Sequence, residues 1–421
     1  MIDALCLGIV GLSVLLAFYC VVAFPFLLWV VAKAARRPWR ESDVQPTVTV
    51  IIPAHNEAAV IARKLDNILA AEYPAEALEV IVASDCSTDE TDAIVQSYAP
   101  RVRLVRAETR SGKQVCLNLA AARSTAEILL FTDAASLLPT DAIPLLVRHF
   151  GDPSIGAASS AIRVHRGDAG VFAALPSQTA GRAGAGRQGR AEGEGIYLGA
   201  DCAMRVLEGR ISSMVGCVGA GYAIRRASFL PFDASDCDDF ASAYSVLVSG
   251  QRAIMDPRVV SYMLPARDLK VELSRKIRTI SGAIATGWRY RGRILKFAPV
   301  SVLWFFVSHK ICRWLLPLAL VASALAIAVG AAFGHWTWRV PFAFEAAGGA
   351  MGLVALRFSW KVRRLAILKP FGFVLVSIYA AVIAWCKVFW GQKQVLWQPT
   401  PRAEAGPMPA SAGAARPSSA T

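Results

Sequence analysis

No Cys-x-x-Cys pair occurs among the nine cysteines, and no histidine stands at zinc-ligand spacing from any of them. A metal staple is therefore excluded as the source of stability. The count is odd, and Cys6 and Cys20 lie inside apolar runs, which reads as reduced thiols in a cytosolic and membrane protein. Charge is sparse: 18% of residues are Asp, Glu, Lys or Arg, against 55% hydrophobic. That excludes a disordered or collagen-like chain. Neither a Walker loop nor a Gly-x-Gly-x-x-Gly fingerprint opens the first strand-to-helix turn, which argues against an ATPase and a dehydrogenase.

Uninterrupted apolar sequence is what the chain has in abundance. Ala4 to Ala32 contains no charge and is long enough to cross a bilayer. Asp3 at its start, in place of Lys or Arg, and its length argue for a retained anchor over a signal peptide. Lys33, Arg36, Arg37 and Arg40 follow it, which places that end in the cytoplasm. Lys310, Arg313 and Trp314 open a second run that ends near Phe333. Val340 to Leu356, interrupted by Glu345, is a weaker third, returned inside by Arg357, Lys361, Arg363, Arg364 and Lys369. Phe371 to Trp390 is a fourth, and a Pro/Ala/Ser tail without core-forming residues begins near Thr400. The expected organisation is an anchor over 1–40, a cytosolic domain over 41–266, interfacial amphipathic helices over 267–310, membrane helices over 311–392 and a disordered tail over 393–421.

Lys and Arg exceed Asp and Glu by 45 to 31, and the excess is local. Arg267, Lys270, Arg275, Lys276, Arg278, Arg289, Arg291, Arg293 and Lys296 face only Asp268 and Glu272. Trp288, Tyr290, Phe297, Trp304 and Phe305 stand nearby. Basic residues beside aromatic ones next to a span read as helices lying on anionic lipid, and not as a nucleic-acid surface.

Between the anchor and this basic segment, strand and helix patterns alternate. Val48 to Ile52, Leu78 to Ala83, Val102 to Val105 and Ile128 to Phe131 read as strands; Ala58 to Leu69, Asp89 to Tyr98 and Lys113 to Ala122 read as helices. Such alternation predicts an α/β domain with a mostly parallel sheet. Ligands then bind beyond the carboxyl ends of the strands. The residues just past those ends are His55, Asn56 and Glu57, then Asp85, Ser87 and Asp89, then Arg110 and Lys113, then Asp133. A rim carrying carboxylates, cations and short polar groups suits a nucleotide diphosphate with a divalent cation. For Asp85, Ser87 and Asp89 taken singly, helix capping is an equal reading.

TVTVIIPAHNE, ASDCSTDET, RSGKQVCLN and LLFTDAAS resemble the successive motifs of the family 2 inverting glycosyltransferases, which have a Rossmann-like GT-A fold. GAGYAIRR, CDDF, the arginine pair of RKIR, SHKICRWLLP and GQKQVLWQPTPR are similar to the membrane-integrated branch that makes bacterial extracellular polysaccharides. The likeness runs from about Pro46 to Arg402. It implies that Pro53, Ala54, His55, Asn56, Glu57 and Asp85 hold the nucleoside of a sugar nucleotide, that Lys113 faces the diphosphate, and that Asp133 binds Mg2+ or Mn2+ through the phosphates. Asp239 corresponds to the general base, with Asp238 the alternative and helix capping by either the competing reading. Arg275 and Arg278 would meet the diphosphate from the membrane side. Gly219 and Gly221 would belong to the acceptor segment.

This chain departs from the family pattern at several positions: Ala135 stands where a second carboxylate is usual, Val218 where Asp is frequent, Cys86 where Gly is usual, and Arg275 and Thr279 where Gln and Trp would be. Gly167 to Gly195, rich in Gly, Ala and Arg, reads as a mobile loop or a lid. Glu208 is expected to orient Arg225 or Arg226. The resemblance implies an inner-membrane enzyme with a cytoplasmic catalytic domain. Its donor would be a nucleotide sugar, its acceptor a glycan or a lipid-linked sugar, and export subunits are possible partners. A catalytically silent scaffold or nucleotide-sugar sensor is the alternative.

Overall fold

The computed structural model describes residues 1–164, 193–263, 269–358, 369–392 and 395–396. The Gly/Ala/Arg-rich stretch, apart from its last three residues, and nearly all of the tail lie outside them. A single eight-stranded sheet forms the centre of the domain: β1 (Val48–Ala54), β2 (Leu78–Ser84), β3 (Arg103–Arg106), β4 (Ile128–Phe131), β5 (Ser136–Leu137), β6 (Ile155–Val164), β7 (Tyr222–Arg225) and β8 (Arg252–Met263), in the order β3-β2-β1-β4-β7-β6-β8-β5. β1, β2, β3 and β4 are mutually parallel, as the alternating pattern predicts, whereas β7 is antiparallel to both β4 and β6.

Every residue of β1 is buried. Its alternation sends Ile51 into one core and Val48, Val50, Ile52 and Ala54 into the other, so the strand is apolar on both faces because helices cover both. The chain leaves β1 towards β2 and β3 and then returns to β4 on β1's other side. That reversal opens a crevice beyond the carboxyl ends of β1 and β4, where a doubly wound sheet binds ligands.

The helix Ala58–Leu69 covers one face with Ile61, Leu65 and Ile68. Lys64 occupies a position on the same buried stripe and is fully enclosed, its Nζ donating to Thr132 Oγ1 at 2.8 Å and to the Ser136 carbonyl at 2.8 Å. The ammonium thus braces the loop after β4 from beneath.

Among the described residues four helical stretches are long and apolar enough to cross a membrane: Ile2–Ala34, Val300–Phe333, Trp336–Arg357 and Phe371–Phe389. The second starts at Val300 and not beside Lys310, so 300–310, expected at the interface, is the first part of an apolar helical stretch. The reason is local: within it His309 and Arg313 turn into the domain and pair with carboxylates there, so neither needs lipid headgroups. The basic segment before it is one helix, Leu269–Phe297. It is tied to the last apolar helix where Lys276 Nζ lies 4.3 Å above the Phe373 ring. Glu345 is exposed on its helix. All nine cysteines are free.

Burial pulls the Lys64 ammonium down from its ordinary 10.5 to about 7, with Asp133 opposing. A base with a lowered folded pKa costs stability increasingly as pH falls from about 10 towards 7, because the unfolded chain protonates first. Lys64→Met should therefore raise the thermal midpoint in detergent, by the equivalent of about 1–4 kcal/mol. The gain should be larger at pH 6.5 than at pH 9.5. A midpoint that drops equally at both would show that the two hydrogen bonds outweigh the buried charge.

Candidate active site

The turns beyond β1 and β2 are locally strained. Asn56 and Cys86 both adopt φ of 54°, a region that favours glycine. Cys86 thus adopts, with a side chain, a conformation suited to the Gly usual at that position in the family it resembles. Asn56 Oδ1 accepts from Thr88 N at 2.8 Å, and Cys86 Sγ donates to the Ala107 carbonyl at 3.1 Å. Asp89 serves as a local brace, accepting from Thr91 N at 3.0 Å and from Ala58 N at 3.1 Å, so the capping reading holds for this residue.

Asp85 is fully buried, and its carboxylate accepts from Ser111 N at 2.7 Å and Gly112 N at 3.0 Å. It shapes the turn that starts the helix Lys113–Arg123. His55, also buried, shares a hydrogen bond with the Asp85 carbonyl at 2.7 Å. Gly112 has φ of 93°, and a side chain there would collide with the Val395 carbonyl. The stretch after the last apolar helix therefore crosses back over this turn.

A cavity of about 640 Å³ lies beyond these strand ends and beside the Leu269–Phe297 helix. It is lined by Glu57, Lys113, Asp133, Gly219, Asp238, Asp239, Arg275 and Arg278 among the residues picked out by sequence. Pro53, Ala54, His55, Asn56, Asp85 and Gly221 do not line it, and all of them but Asn56 are buried.

Lys113 Nζ lies 3.0 Å from Asp133 Oδ1 and 3.1 Å from Asp238 Oδ1. One ammonium thus joins the loop after β4 to the start of the helix Asp238–Val248. Burial disfavours its charge, but the two carboxylates together hold it above the ordinary lysine range. Burial pushes the Asp238 carboxyl up to about 6, although Lys113 opposes the shift. Asp239, half-buried, accepts from Cys237 Sγ at 3.0 Å. A methyl group placed on Gly219 would stand 3.9 Å from Asp133 Oδ2 and 3.9 Å from Asp239 Oδ2, so these carboxylates flank the same small gap.

Arg278 faces the cavity. Burial lowers its pKa, and Asp133 counters the shift. Arg275 also faces it, but its guanidinium is bound to Glu272 at 2.7 Å and 3.0 Å, an i,i+3 pair on its own helix. Arg289 and Tyr290 fix that helix to the domain through Asp236, at 2.8 Å and 3.1 Å.

Two expectations about neighbouring residues change. Glu208 orients neither Arg225 nor Arg226: it contacts His309, and Val215 N donates to it, while Arg225 donates to the carbonyls of Phe150, Asp152 and Ile155 and Arg226 to that of Ala126. An arginine can be satisfied by main-chain carbonyls, and charge alone does not reveal that. Sequence reasoning also missed Gln114, Arg205 and Cys237, which line the cavity. The spacing of Asp201, Arg205 and Glu208, one helical face, was the available signal.

For a divalent ion, the loop after β4 offers Asp133 alone, since Ala135 has no ligand atom. Among the described residues no group of three His, Cys, Asp or Glu side chains is arranged to hold a metal ion by itself. The donor set fits a hard ion that completes its shell with phosphate oxygens and water, as Mg2+ commonly does.

Residues 49–205 match the sequence profile of Glycosyl transferase family 2. The chain is 34% identical over 118 residues to the beta-monoglucosyldiacylglycerol synthase of Synechocystis sp., covering 27% of this chain and 24% of that protein. It is 37% identical over 123 residues to an N-acetylglucosaminyltransferase of Rhizobium sp. (strain N33), covering 28% and 27%. These alignments span about a quarter of the length of those relatives. In structure it resembles the mannosyltransferase PcManGT from Pyrobaculum calidifontis, solved in complex with GDP-Man and Mn2+. The TM-score is 0.69 at 25% identity, with 91% of this chain and 100% of that chain covered. Sheet, crevice and cavity define a GT-A fold. On that fold, residues 49–205 carry the resemblance to Glycosyl transferase family 2.

Lys113→Met removes the cation shared by Asp133 and Asp238, so Asp238 should gain a proton at higher pH. Infrared titration of the carboxyl C=O band, assigned by its loss in Asp238→Asn, should show the midpoint rising by about one unit or more above the wild-type value. An unmoved midpoint would mean that burial alone sets it.

Proposed function

We propose that this protein is a membrane-bound inverting glycosyltransferase. It moves a hexose or N-acetylhexosamine from a nucleotide diphosphate sugar to a growing polysaccharide or a lipid-linked acceptor. The observation that carries this reading is the convergence of Lys113, Asp133, Asp238, Asp239 and Arg278 on one cavity beside the basic helix and the apolar spans. The similar proteins support the donor class, since their names specify glucosyl, N-acetylglucosaminyl and mannosyl transfer. The positive charges after the first apolar helix support a cytoplasmic catalytic domain at a bacterial inner membrane.

In this mechanism the nucleoside rests against the turns beyond β1 and β2, whose shape Asn56, Asp85 and Cys86 maintain. Lys113 and Arg278 meet the diphosphate. A Mg2+ or Mn2+ held by Asp133 together with the phosphates would neutralise charge on the leaving group. Asp239 takes the proton from the acceptor hydroxyl as its oxygen bonds to the anomeric carbon. The bond from that carbon to the phosphate oxygen breaks, and the diphosphate departs with the electron pair. A single displacement of this kind inverts the anomeric centre. Asp238, already paired with Lys113 and raised towards neutrality, suits the role less well. Arg275, bound to Glu272, contributes to the field of the site.

The silent-scaffold reading rests on Ala135, Val218 and Thr279. The two readings diverge on turnover. Protein in native membranes should release nucleoside diphosphate from at least one sugar nucleotide. Asp239→Asn should lower kcat by roughly 100-fold or more with donor KM little changed. Full turnover in Asp239→Asn removes the proposed base, and binding without turnover for every donor favours the scaffold.

A further inference from the structure

The SHKICRWLLP segment has no part in the chemistry above, yet it makes a buried contact with two carboxylates of the domain. His309 lies on the π-helical turn Phe306–Ile311, inside the stretch Val300–Phe333. π turns recur where a helix must redirect a side chain. Its ring is buried, with Nδ1 2.5 Å from Glu208 Oε1 and Nε2 2.9 Å from Asp201 Oδ1. Arg313, one turn further on, reaches the same Asp201 oxygen at 2.9 Å.

Each of these carboxylates holds the loop that precedes β7. Asp201 Oδ2 binds Arg205 at 2.7 Å, and Arg205 donates onward to the carbonyls of Gly216, at 3.0 Å, and Cys217. Glu208 Oε2 accepts from Val215 N at 3.2 Å. Cys217 N in turn donates to the main-chain carbonyl of Asp239 at 2.9 Å. A continuous hydrogen-bonded path therefore runs from a residue of an apolar span to the backbone of the carboxylate beside the cavity.

We infer that His309 is a positioning residue: by holding Asp201 and Glu208 together it fixes the 215–217 loop and, through Cys217, the backbone of Asp239. The inference rests on the reading of Asp239 as proton acceptor for its kinetic consequence but not for its structural one. Removing the imidazole leaves two buried carboxylates short of a partner, a change that a tight network relieves by moving. A displacement of about 1 Å at a reacting group is enough to cost on the order of 100-fold in rate. The groups expected to hold the donor, Lys113 and Asp133, make no contact with this path.

Two readouts on full-length protein in nanodiscs test it. In His309→Leu, amide hydrogen exchange at Val215 and Cys217 should accelerate by about tenfold or more while β1 and β2 keep wild-type protection. The kcat for nucleoside diphosphate release should fall by about 10–100-fold with donor KM changed less than about threefold. Should His309→Leu fail to assemble, Arg205→Lys, which keeps the charge but loses the fork, gives the same two readouts. Unchanged protection of the two amides overturns the inference, whether or not any donor is turned over. So do loosened amides with unchanged kcat, or a loss of donor binding as large as the loss of rate. Absence of turnover in the wild type counts against the reading of Asp239, and the exchange comparison then decides this inference alone.

Discussion

The ammonium of Lys113, held between Asp133 and Asp238, is the interaction on which the arrangement of the site depends. Asp133 belongs to the loop after β4, in the parallel half of the sheet, and Asp238 to the first turn of a helix more than a hundred residues later. Without a shared cation, three carboxylates gathered at one cavity would repel one another across a poorly solvated gap. Lys113 removes that cost and keeps the gap narrow. Asp238 gains most, because its burial would otherwise force it to be neutral well into the physiological range. Under the proposed function, an arriving diphosphate competes for the same ammonium, so the pair that stabilises the empty site is also the one that senses its occupant.

The sheet places these groups and the spans orient them. The reversal between β1 and β4 creates the crevice, and the antiparallel β7 brings the 215–221 loop against it. The Leu269–Phe297 helix closes the remaining side, fixed to the domain by Asp236 and to the last apolar helix by Lys276 over Phe373. Cavity and apolar helices are thereby built as one unit.

Much of the parallel half was legible in the sequence, because β1, β2 and β4 are short branched runs and the helix Ala58–Leu69 has a clear 3.6-residue period. Asp133, Lys113 and Asp239 were legible for the same reason, since each stands at the end of a recognisable element. Asp85 was located at its strand end, but its bracing of the turn was not legible, because that depends on where Ser111 N and Gly112 N fall in the fold. His309 was out of reach, because its carboxylate partners lie on a helix about a hundred residues earlier and only the tertiary fold brings them together, whereas Arg205 was signalled by its spacing from Asp201. The start of the Val300–Phe333 stretch was misplaced because Lys310 and Arg313 were read as opening it, whereas Arg313 and the preceding His309 are paired with carboxylates of the domain.

The account stands most directly on where a sugar nucleotide sits. A structure of the protein in nanodiscs with a non-reactive nucleotide-sugar analogue and Mn2+ should show the diphosphate in contact with Lys113 Nζ, and the anomeric carbon on the Asp239 side of the cavity. A nucleotide bound elsewhere, with Lys113 still shared between Asp133 and Asp238, would contradict it.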